Sequence, residues 1–239
     1  MKQIQQTAIT RRKALSALTA CTVGLPLTAC DLWTTFGKPN ELSPGGSQLS
    51  IPALLARTYE PVEIRLHDVA IRRPTYTSYV MTYISDELRI TGIASIPTGS
   101  GPFPVVLLNH GYALPSRYKT GEGTRAMSES LASRGFITLA SDYRGLGGSD
   151  DGSSLNLGIR LEFAIDVLNL AAAARNLPEA RTGPIGIWGH SLGGELALRA
   201  AVIDRNVGPV ALWAPMSPWM DDLAAYYRLP ASESSKNLR

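Results

Sequence analysis

The residues with the clearest chemical potential stand in the pentapeptide Gly189–Gly193, whose sequence is Gly-His-Ser-Leu-Gly. It follows the apolar run Ile185–Trp188 and opens an amphipathic segment, Leu192–Val202, and together these predict a strand, a sharp turn and a helix. Such a turn, called a nucleophile elbow, holds its serine in a strained backbone conformation with the hydroxyl thrust outward. Glycine is needed two residues before and two after the serine, because strand and helix approach too closely there for a β-carbon. Ser191 is therefore the candidate nucleophile.

A second candidate part of the site follows the apolar run Val105–Leu108, in the sequence Asn-His-Gly-Tyr at 109–112. A strand-to-loop turn at this place supplies a backbone donor to an oxyanion hole. We expect the backbone N–H groups of Tyr112 and Leu192 to hold the negative oxygen of a tetrahedral intermediate. Losing one such donor typically costs on the order of 10²–10³ in turnover.

A third motif, the glycine-rich segment Asp142–Ser149, follows the apolar run Phe136–Ala140. We expect its role to be structural, with Asp142 and Arg144 pinning neighbouring backbone. Glu122 is interpreted as a solvated loop acid rather than as a ligand for a substrate amine.

The elements that must position these motifs are visible as a change of periodicity. Alternation of apolar and polar residues at Val62–Leu66 and Leu88–Ile96 predicts half-buried strands near a sheet edge. Four apolar runs follow (Val105–Leu108, Phe136–Ala140, Ile185–Trp188 and Val210–Trp213), separated by three segments of helical period (Arg125–Arg134, Leu157–Arg175 and Leu192–Val202). Runs buried on both faces that alternate with helices predict an α/β fold with a mostly parallel sheet, into which short antiparallel strands lead.

The three motifs, in this order, resemble those of the α/β-hydrolase superfamily, and in particular the catalytic domains of the prolyl-oligopeptidase and dienelactone-hydrolase groups. The resemblance covers roughly Leu88 to Pro215. It implies an α/β-hydrolase fold and a serine hydrolase for esters or short peptides, with no cofactor and no metal. Ser191 would be the nucleophile, the amides of Tyr112 and Leu192 the oxyanion hole, and the residues on either side of the serine the elbow.

The pattern departs from the superfamily in one respect. There the order along the chain is serine, acid, histidine, yet no histidine follows the serine here. His190 is expected to turn its side chain away from the hydroxyl, His110 to brace the oxyanion turn, and His67 to face solvent. Asp221 and Asp222 are candidate acids, although an exposed helix start is the favoured interpretation. We therefore expect an N-terminal portion of the fold, incomplete at its C-terminus, with weak activity on its own.

The N-terminus has the anatomy of a signal peptide over residues 1–29, with a basic region up to Lys13 and an apolar stretch from Ala14 to Leu27. The closing Leu-Thr-Ala-Cys resembles the lipobox of bacterial lipoproteins, in which the cysteine is acylated and becomes the new N-terminus, and this predicts Cys30 as the lipidation site. The same four residues at Leu18–Cys21 are an alternative with a shorter apolar core. Two arginines in the basic region leave open whether export is general or of the twin-arginine type.

Composition and charge complete the outline. Residues 1–29 hold four basic residues and no acid, so the other 210 residues carry a net charge of −1, against +3 for the whole chain. A near-neutral body argues against a nucleic-acid partner. Residues 30–55 are predicted as a flexible tether on their content of glycine, proline and serine, and residues 56–239 as the hydrolase domain.

The sequence thus predicts an exported serine hydrolase that is anchored to a bacterial membrane by lipid and takes a small ester or peptide substrate. Two alternatives stay open. One is a non-catalytic remnant or binding lipoprotein with the same fold, and the other is an acyltransferase, in which the acyl group passes to an acceptor other than water.

Overall fold

The candidate site is carried by one mixed β-sheet in the computed structural model, which describes residues 49–151 and 159–217. The strands of this part are β1 (Arg65–Arg72), β2 (Tyr76–Ser85), β3 (Leu88–Pro97), β4 (Val105–Asn109), β5 (Ile137–Ser141), β6 (Ile185–His190) and β7 (Val207–Trp213). Its helices are α1 (Ile51–Ala56), α2 (Arg125–Ala132), α3 (Ile159–Ala174) and α4 (Leu192–Ile203). The predicted α/β fold class is confirmed.

The sheet has the strand order β1-β2-β3-β5-β4-β6-β7. The pairs β1–β2, β2–β3 and β3–β5 are antiparallel, whereas β5–β4, β4–β6 and β6–β7 are parallel. Because parallel strands place their carboxyl ends at one edge of a sheet, the turns after β4, β5 and β6 come together there. These are the turns that carry the three sequence motifs.

The core lies on both faces of the central strands. Every residue of β5 is buried, as are four of the five in β4, which is why these strands read as continuous apolar runs. Helix α3 is buried at every position from Phe163 to Ala174. In contrast, β7 lies at the edge of the described sheet, and Leu212 and Trp213 near its end are exposed.

Two strand predictions need correction. Strand β1 begins at Arg65, because its pairing with β2 starts there with Arg65 opposite Thr82. Val62 and Ile64 are instead partly buried coil residues that pack against the core. Strand β2 was not predicted, although it pairs with β3 over its full length, from Tyr76 opposite Pro97 to Ser85 opposite Leu88.

The predicted tether also ends earlier than expected. Residues 51–56 form helix α1, in which Leu54 is fully buried in the core. Ser50 caps this helix by accepting a hydrogen bond from Ala53 N at 3.4 Å. The folded part therefore includes the last residues of the 30–55 segment, whereas the predicted signal peptide, Cys30 and the rest of the tether lie outside the described residues. Among the described residues, no helix combines the length and the apolar character that crossing a membrane requires.

Candidate active site

Ser191 occupies a strained turn between β6 and α4. Its φ of 54° and ψ of −119° lie in a region that residues with a side chain rarely adopt. Ser191 N donates to the carbonyl of Trp213 at 3.0 Å, which ties the turn to the end of β7. The carbonyl of Ser191 accepts hydrogen bonds from Gly194 N at 3.0 Å and Met216 N at 2.9 Å. Backbone hydrogen bonds from both sides therefore hold the strained residue in place.

The glycines around Ser191 sit where backbone segments touch. A β-carbon on Gly189 would overlap the carbonyl of Gly193, and one on Gly193 would overlap the carbonyl of Asn109. The prediction that these two positions lack room for a β-carbon is confirmed. Gly194 is similarly close to Pro215, so α4 begins in direct contact with the segment that follows β7.

The turn after β4 lies directly against Ser191. A β-carbon on Gly111 would come within 3.2 Å of Ser191 Cβ. Within the described part of the chain, the backbone N–H groups of Tyr112 and Leu192 donate no hydrogen bond, and the Ser191 hydroxyl makes none. Two backbone donors and one hydroxyl near the serine therefore have no hydrogen-bond partner among the described residues.

A cleft of about 430 Å³ opens beside Ser191. Its walls are formed by residues 110–114, Arg117, Tyr118, residues 122–123 and residues 190–191. This size is typical of small-molecule sites. Glu122 is exposed at this wall, and its Oε2 accepts a hydrogen bond from the backbone N–H of Lys119 at 3.1 Å, as expected for a loop acid.

His110 is almost fully buried inside the turn after β4, at the wall of the cleft. Its side chain is buried, its Nδ1 lies 2.6 Å from the carbonyl oxygen of Gly111, and its Nε2 lies 3.3 Å from that of Asp142. The ring is stacked between Tyr118 and Tyr143, with centroid separations of 4.7 Å and 4.3 Å. Burial lowers the pKa of His110 below its ordinary value. The expectation that His110 braces the turn agrees with these contacts.

Of the other two histidines, His67 faces solvent and His190 lies at the cleft. His67 is exposed on β1, and its Nε2 is 2.8 Å from Thr82 Oγ1, so it faces solvent as predicted. The ring of His190 lies against Gly111, with Nδ1 3.3 Å from the place of a β-carbon there, and it lines the same cleft as Ser191. His190 was expected to turn its side chain away from the Ser191 hydroxyl; it lines the cleft beside that hydroxyl but makes no hydrogen bond with it among the described residues. None of the three histidines forms a hydrogen bond with the Ser191 hydroxyl.

Asp142, in the loop after β5, pins neighbouring backbone as predicted. Its Oδ1 accepts hydrogen bonds from Gly121 N and from the Tyr118 hydroxyl, each at 3.0 Å, and its Oδ2 accepts one from the Thr91 hydroxyl at 2.6 Å. Burial and the nearby carboxylate of Asp142 raise the pKa of Tyr118 well above its ordinary value, so its hydroxyl remains a donor. This loop is thereby tied to β3 and to the wall of the cleft.

Among the described residues, the Arg144 side chain contacts carboxylates rather than backbone, in contrast to the prediction. Its guanidinium contacts the fully buried carboxylate of Asp166 on α3, with Nη2 2.7 Å from Oδ1, and Glu162 Oε2 lies 3.4 Å from Nη1. A guanidinium can satisfy several carboxylate oxygens at once, and the buried acid requires such a partner. The sequence offered no local signal for this pair, because its members are 22 residues apart.

Sequence reasoning also missed the aromatic stack around His110. Tyr118, Tyr143 and Phe163 come from a loop, the turn after β5 and helix α3, so no local spacing links them. Among the described residues, no group of three or more histidine, cysteine, aspartate or glutamate side chains could hold a metal ion.

Residues 86–237 match the X-Pro dipeptidyl-peptidase (S15) family. The chain belongs to this family. Curated relatives of this S15 chain include an uncharacterized 31.7 kDa protein of the traX-finO intergenic region of Escherichia coli, which is 33% identical over 128 residues. That match covers 52% of this chain and 42% of the relative, so the chain spans about two fifths of the length of the curated relatives it matches.

Solved structures place the S15 chain within a wider fold. Acetyl xylan esterase 1 from Thermoanaerobacterium sp. JW/SL YS485 aligns with a TM-score of 0.61 at 22% identity, over 82% of this chain and 71% of that one. An acetyl xylan esterase from Paenibacillus sp. R4 aligns with a TM-score of 0.60 at 20% identity, over 82% and 68%. The dienelactone hydrolase-like promiscuous phosphotriesterase P91 from metagenomic libraries aligns with a TM-score of 0.50 at 20% identity, over 60% and 62%. The predicted resemblance to α/β-hydrolases is confirmed at the level of the fold.

Proposed function

We propose that this chain is a serine hydrolase that cleaves acyl bonds of small esters or short peptides, with Ser191 as its nucleophile. The observation that carries the proposal is the strained backbone of Ser191 beside a cleft, with a hydroxyl that makes no hydrogen bond within the described residues. Strain of this kind costs on the order of 1–3 kcal/mol and clusters at functional sites. The S15 family match and the fold of the esterase structures support the same reaction class.

In the proposed reaction, the oxygen of Ser191 attacks the acyl carbon, and the carbonyl oxygen takes up negative charge. The N–H groups of Tyr112 and Leu192 would donate to this oxygen. This role is supported because neither N–H donates a hydrogen bond among the described residues. Collapse of the tetrahedral intermediate expels the alcohol or amine, and water then hydrolyses the acyl-serine to release the acid. Transfer of the acyl group to another acceptor instead of water would make the chain an acyltransferase.

The reaction also needs a base to accept the proton of the serine hydroxyl, because a serine is a weak nucleophile at its own pKa. His190 lines the cleft without a hydrogen bond to that hydroxyl, and both ring nitrogens of His110 face backbone carbonyl oxygens instead of the serine. An unpaired serine with an oxyanion hole retains on the order of 10³–10⁴-fold over water. We therefore expect slow turnover.

The test is p-nitrophenyl acetate hydrolysis by the purified chain, with Ser191→Ala as control and an Xaa-Pro p-nitroanilide as peptide substrate. We expect slow release of p-nitrophenol that Ser191→Ala abolishes. Turnover on the order of 1–10³ s⁻¹, the usual range for enzymes, would contradict the expected absence of a base. A rate equal in both proteins would favour the non-catalytic binding alternative.

The proposal extends to location. We propose that residues 1–29 are removed on export and that Cys30 carries lipid, which anchors the mature protein to a bacterial membrane outside the cytoplasm. The support is the sequence itself: a basic head, an apolar stretch and small residues before the cysteine.

A further inference from the structure

We propose that His110 is a positioning residue that locks the Gly111–Tyr112 peptide and so aims the Tyr112 N–H as an oxyanion donor. The inference rests on the proposed function and deepens it, since it names the side chain that orients one of the two donors. His110 would touch neither substrate nor nucleophile in this role.

The geometry of the peptide unit links the Gly111 carbonyl to the direction of the Tyr112 N–H. His110 Nδ1 lies 2.6 Å from the carbonyl oxygen of Gly111, a hydrogen bond at the short end of the usual range. The Gly111–Tyr112 peptide is trans, so its N–H points opposite to its C=O. When the carbonyl is held by the buried ring, the N–H of Tyr112 must point away from that ring. Rotating this peptide would break the hydrogen bond, so one side-chain contact fixes the direction of the donor.

The ring that makes this contact is itself immobilised on both faces. Tyr118 and Tyr143 stack on it at 4.7 Å and 4.3 Å, and Tyr143 stacks in turn on Phe163 of α3 at 4.9 Å. The side chain of His110 is only 2% exposed. The ring therefore has a fixed position relative to the core helix.

The two flanking tyrosines are held by polar contacts as well. The Tyr118 hydroxyl donates to Asp142 Oδ1 at 3.0 Å, and the Tyr143 hydroxyl donates to the backbone carbonyl of His110 at 3.3 Å. The carbonyl oxygen of Asp142 lies 3.3 Å from His110 Nε2. Tyr143 thus contacts both the ring and the backbone of His110, while Tyr118 stacks on the ring and is held by Asp142.

The two ring nitrogens have different roles. Both face carbonyl oxygens, which only accept hydrogen bonds, and a neutral imidazole carries one N–H. The shorter distance assigns that hydrogen to Nδ1, which leaves the bond to Gly111 intact in the neutral ring. Burial lowers the pKa of His110, which favours this neutral form.

Two substitutions separate the hydrogen bond from the packing. His110→Phe keeps an aromatic ring between the tyrosines but removes Nδ1–H, whereas His110→Asn places an amide N–H near the position of Nδ1 and loses the stack. The readout is the rate constant for phosphonylation of Ser191 by a fluorophosphonate, whose phosphoryl oxygen requires the same donors. We expect at least a tenfold slower reaction in His110→Phe with a nearly unchanged melting temperature. His110→Asn should react within a few-fold of the unchanged protein although it melts earlier.

A purely structural role predicts the opposite order, with His110→Asn impaired more than His110→Phe in both rate and melting temperature, and that result would overturn the inference. His67→Phe, an exposed histidine on β1, is the control and should change neither quantity. Amide ¹⁵N relaxation of Tyr112 provides a readout independent of reactivity: its N–H should be rigid in the unchanged protein and in His110→Asn, and mobile in His110→Phe. If the unchanged protein does not react with the probe, the proposed function fails, while equal relaxation in all variants would refute the lock itself.

Discussion

At the scale of single residues, the candidate site depends on backbone groups that side chains hold in place. Ser191 keeps its positive φ because four residues hydrogen-bond to its backbone: Gly194, Glu195, Trp213 and Met216. Gly111 brings the other turn within van der Waals reach of the serine. The residue types at 189–193 were sufficient to predict the strained turn, because its glycines are required by a local approach of strand and helix.

The surroundings of His110 give a prediction for pH dependence. Because burial lowers its pKa in the folded protein, the unfolded chain, with an ordinary histidine pKa of 6.5, binds a proton more readily. The contribution of neutral His110 to the free energy of unfolding is fully present above pH 6.5. It is lost as the pH falls through the lower pKa of the folded state. The neighbouring tyrosines, 118 and 143, stay protonated because burial raises their pKa, while the carboxylates of Asp142 and Glu122 moderate the shift.

Urea unfolding between pH 7.5 and pH 5 measures this effect. The free energy of unfolding should fall more steeply with decreasing pH in the unchanged protein than in His110→Phe, which has no proton to gain. His67→Phe is the matched control and should retain the steep dependence. If the free energy of unfolding depended on pH equally in the unchanged protein and in His110→Phe, the attribution of this pH dependence to His110 would be contradicted.

At the scale of elements, hydrophobic pattern predicted the central strands and failed at β2. Strands β4 to β7 lie where continuous apolar runs were predicted. For β4 and β5 the reason is that strands covered on both faces need mostly apolar side chains. In β2 the buried positions include Ser78 and Ser85, which hydrogen-bond to Ser95 and Asp166, while Ile84 is exposed. These serines can be buried because residues from distant segments satisfy their hydroxyl groups, so hydropathy alone could not predict the strand.

The candidate site likewise combines parts that are local in the sequence with parts that are not. The turns after β4 and β6 could be predicted, because each follows its strand directly in the sequence. The stack around His110 and the Arg144–Asp166 pair could not, because their members meet only when the sheet and α3 have assembled. The candidate reactive groups are therefore easier to predict from the sequence than the groups that hold them in place.

Contact between elements at the serine turn gives a prediction for stability. Gly193→Ala would force a β-carbon into the carbonyls of Asn109 and His110, so β4 and α4 must move apart. We expect a loss of ~2 kcal/mol or more in the free energy of unfolding. Gly186→Ala, on β6, is the matched control, because a β-carbon there meets its neighbours at 3.4 Å or beyond. Equal urea midpoints for the two variants would contradict the close approach of β4 and α4.

At the scale of the whole molecule, charge is distributed unevenly between the N-terminal residues and the rest. The basic residues of 1–29 account for the positive net charge, and the remaining chain is close to neutral. This distribution fits the proposed export signal, followed by a domain without the positive electrostatic field that attracts polyanions. The described residues contain the candidate site, and the proposed anchor lies in the segment before it.

The location proposal is tested by metabolic labelling with a fatty acid, comparing the native chain with Cys30→Ser and Cys21→Ser. We expect label and membrane partitioning in the native chain and in Cys21→Ser, and loss of both in Cys30→Ser, because the thiol is the acylated group. Loss in Cys21→Ser alone would move the site to the earlier cysteine. Equal labelling of all three proteins would refute lipidation at either position.

The central claim is that Ser191 is a reactive nucleophile, and it is tested most directly by a fluorophosphonate probe with peptide mapping of the adduct. The account predicts a single adduct on the peptide that contains Ser191, its loss in Ser191→Ala, and its retention in Ser133→Ala, which removes an exposed hydroxyl at the end of α2. A folded protein that takes up no probe, or an adduct that persists in Ser191→Ala, would contradict it.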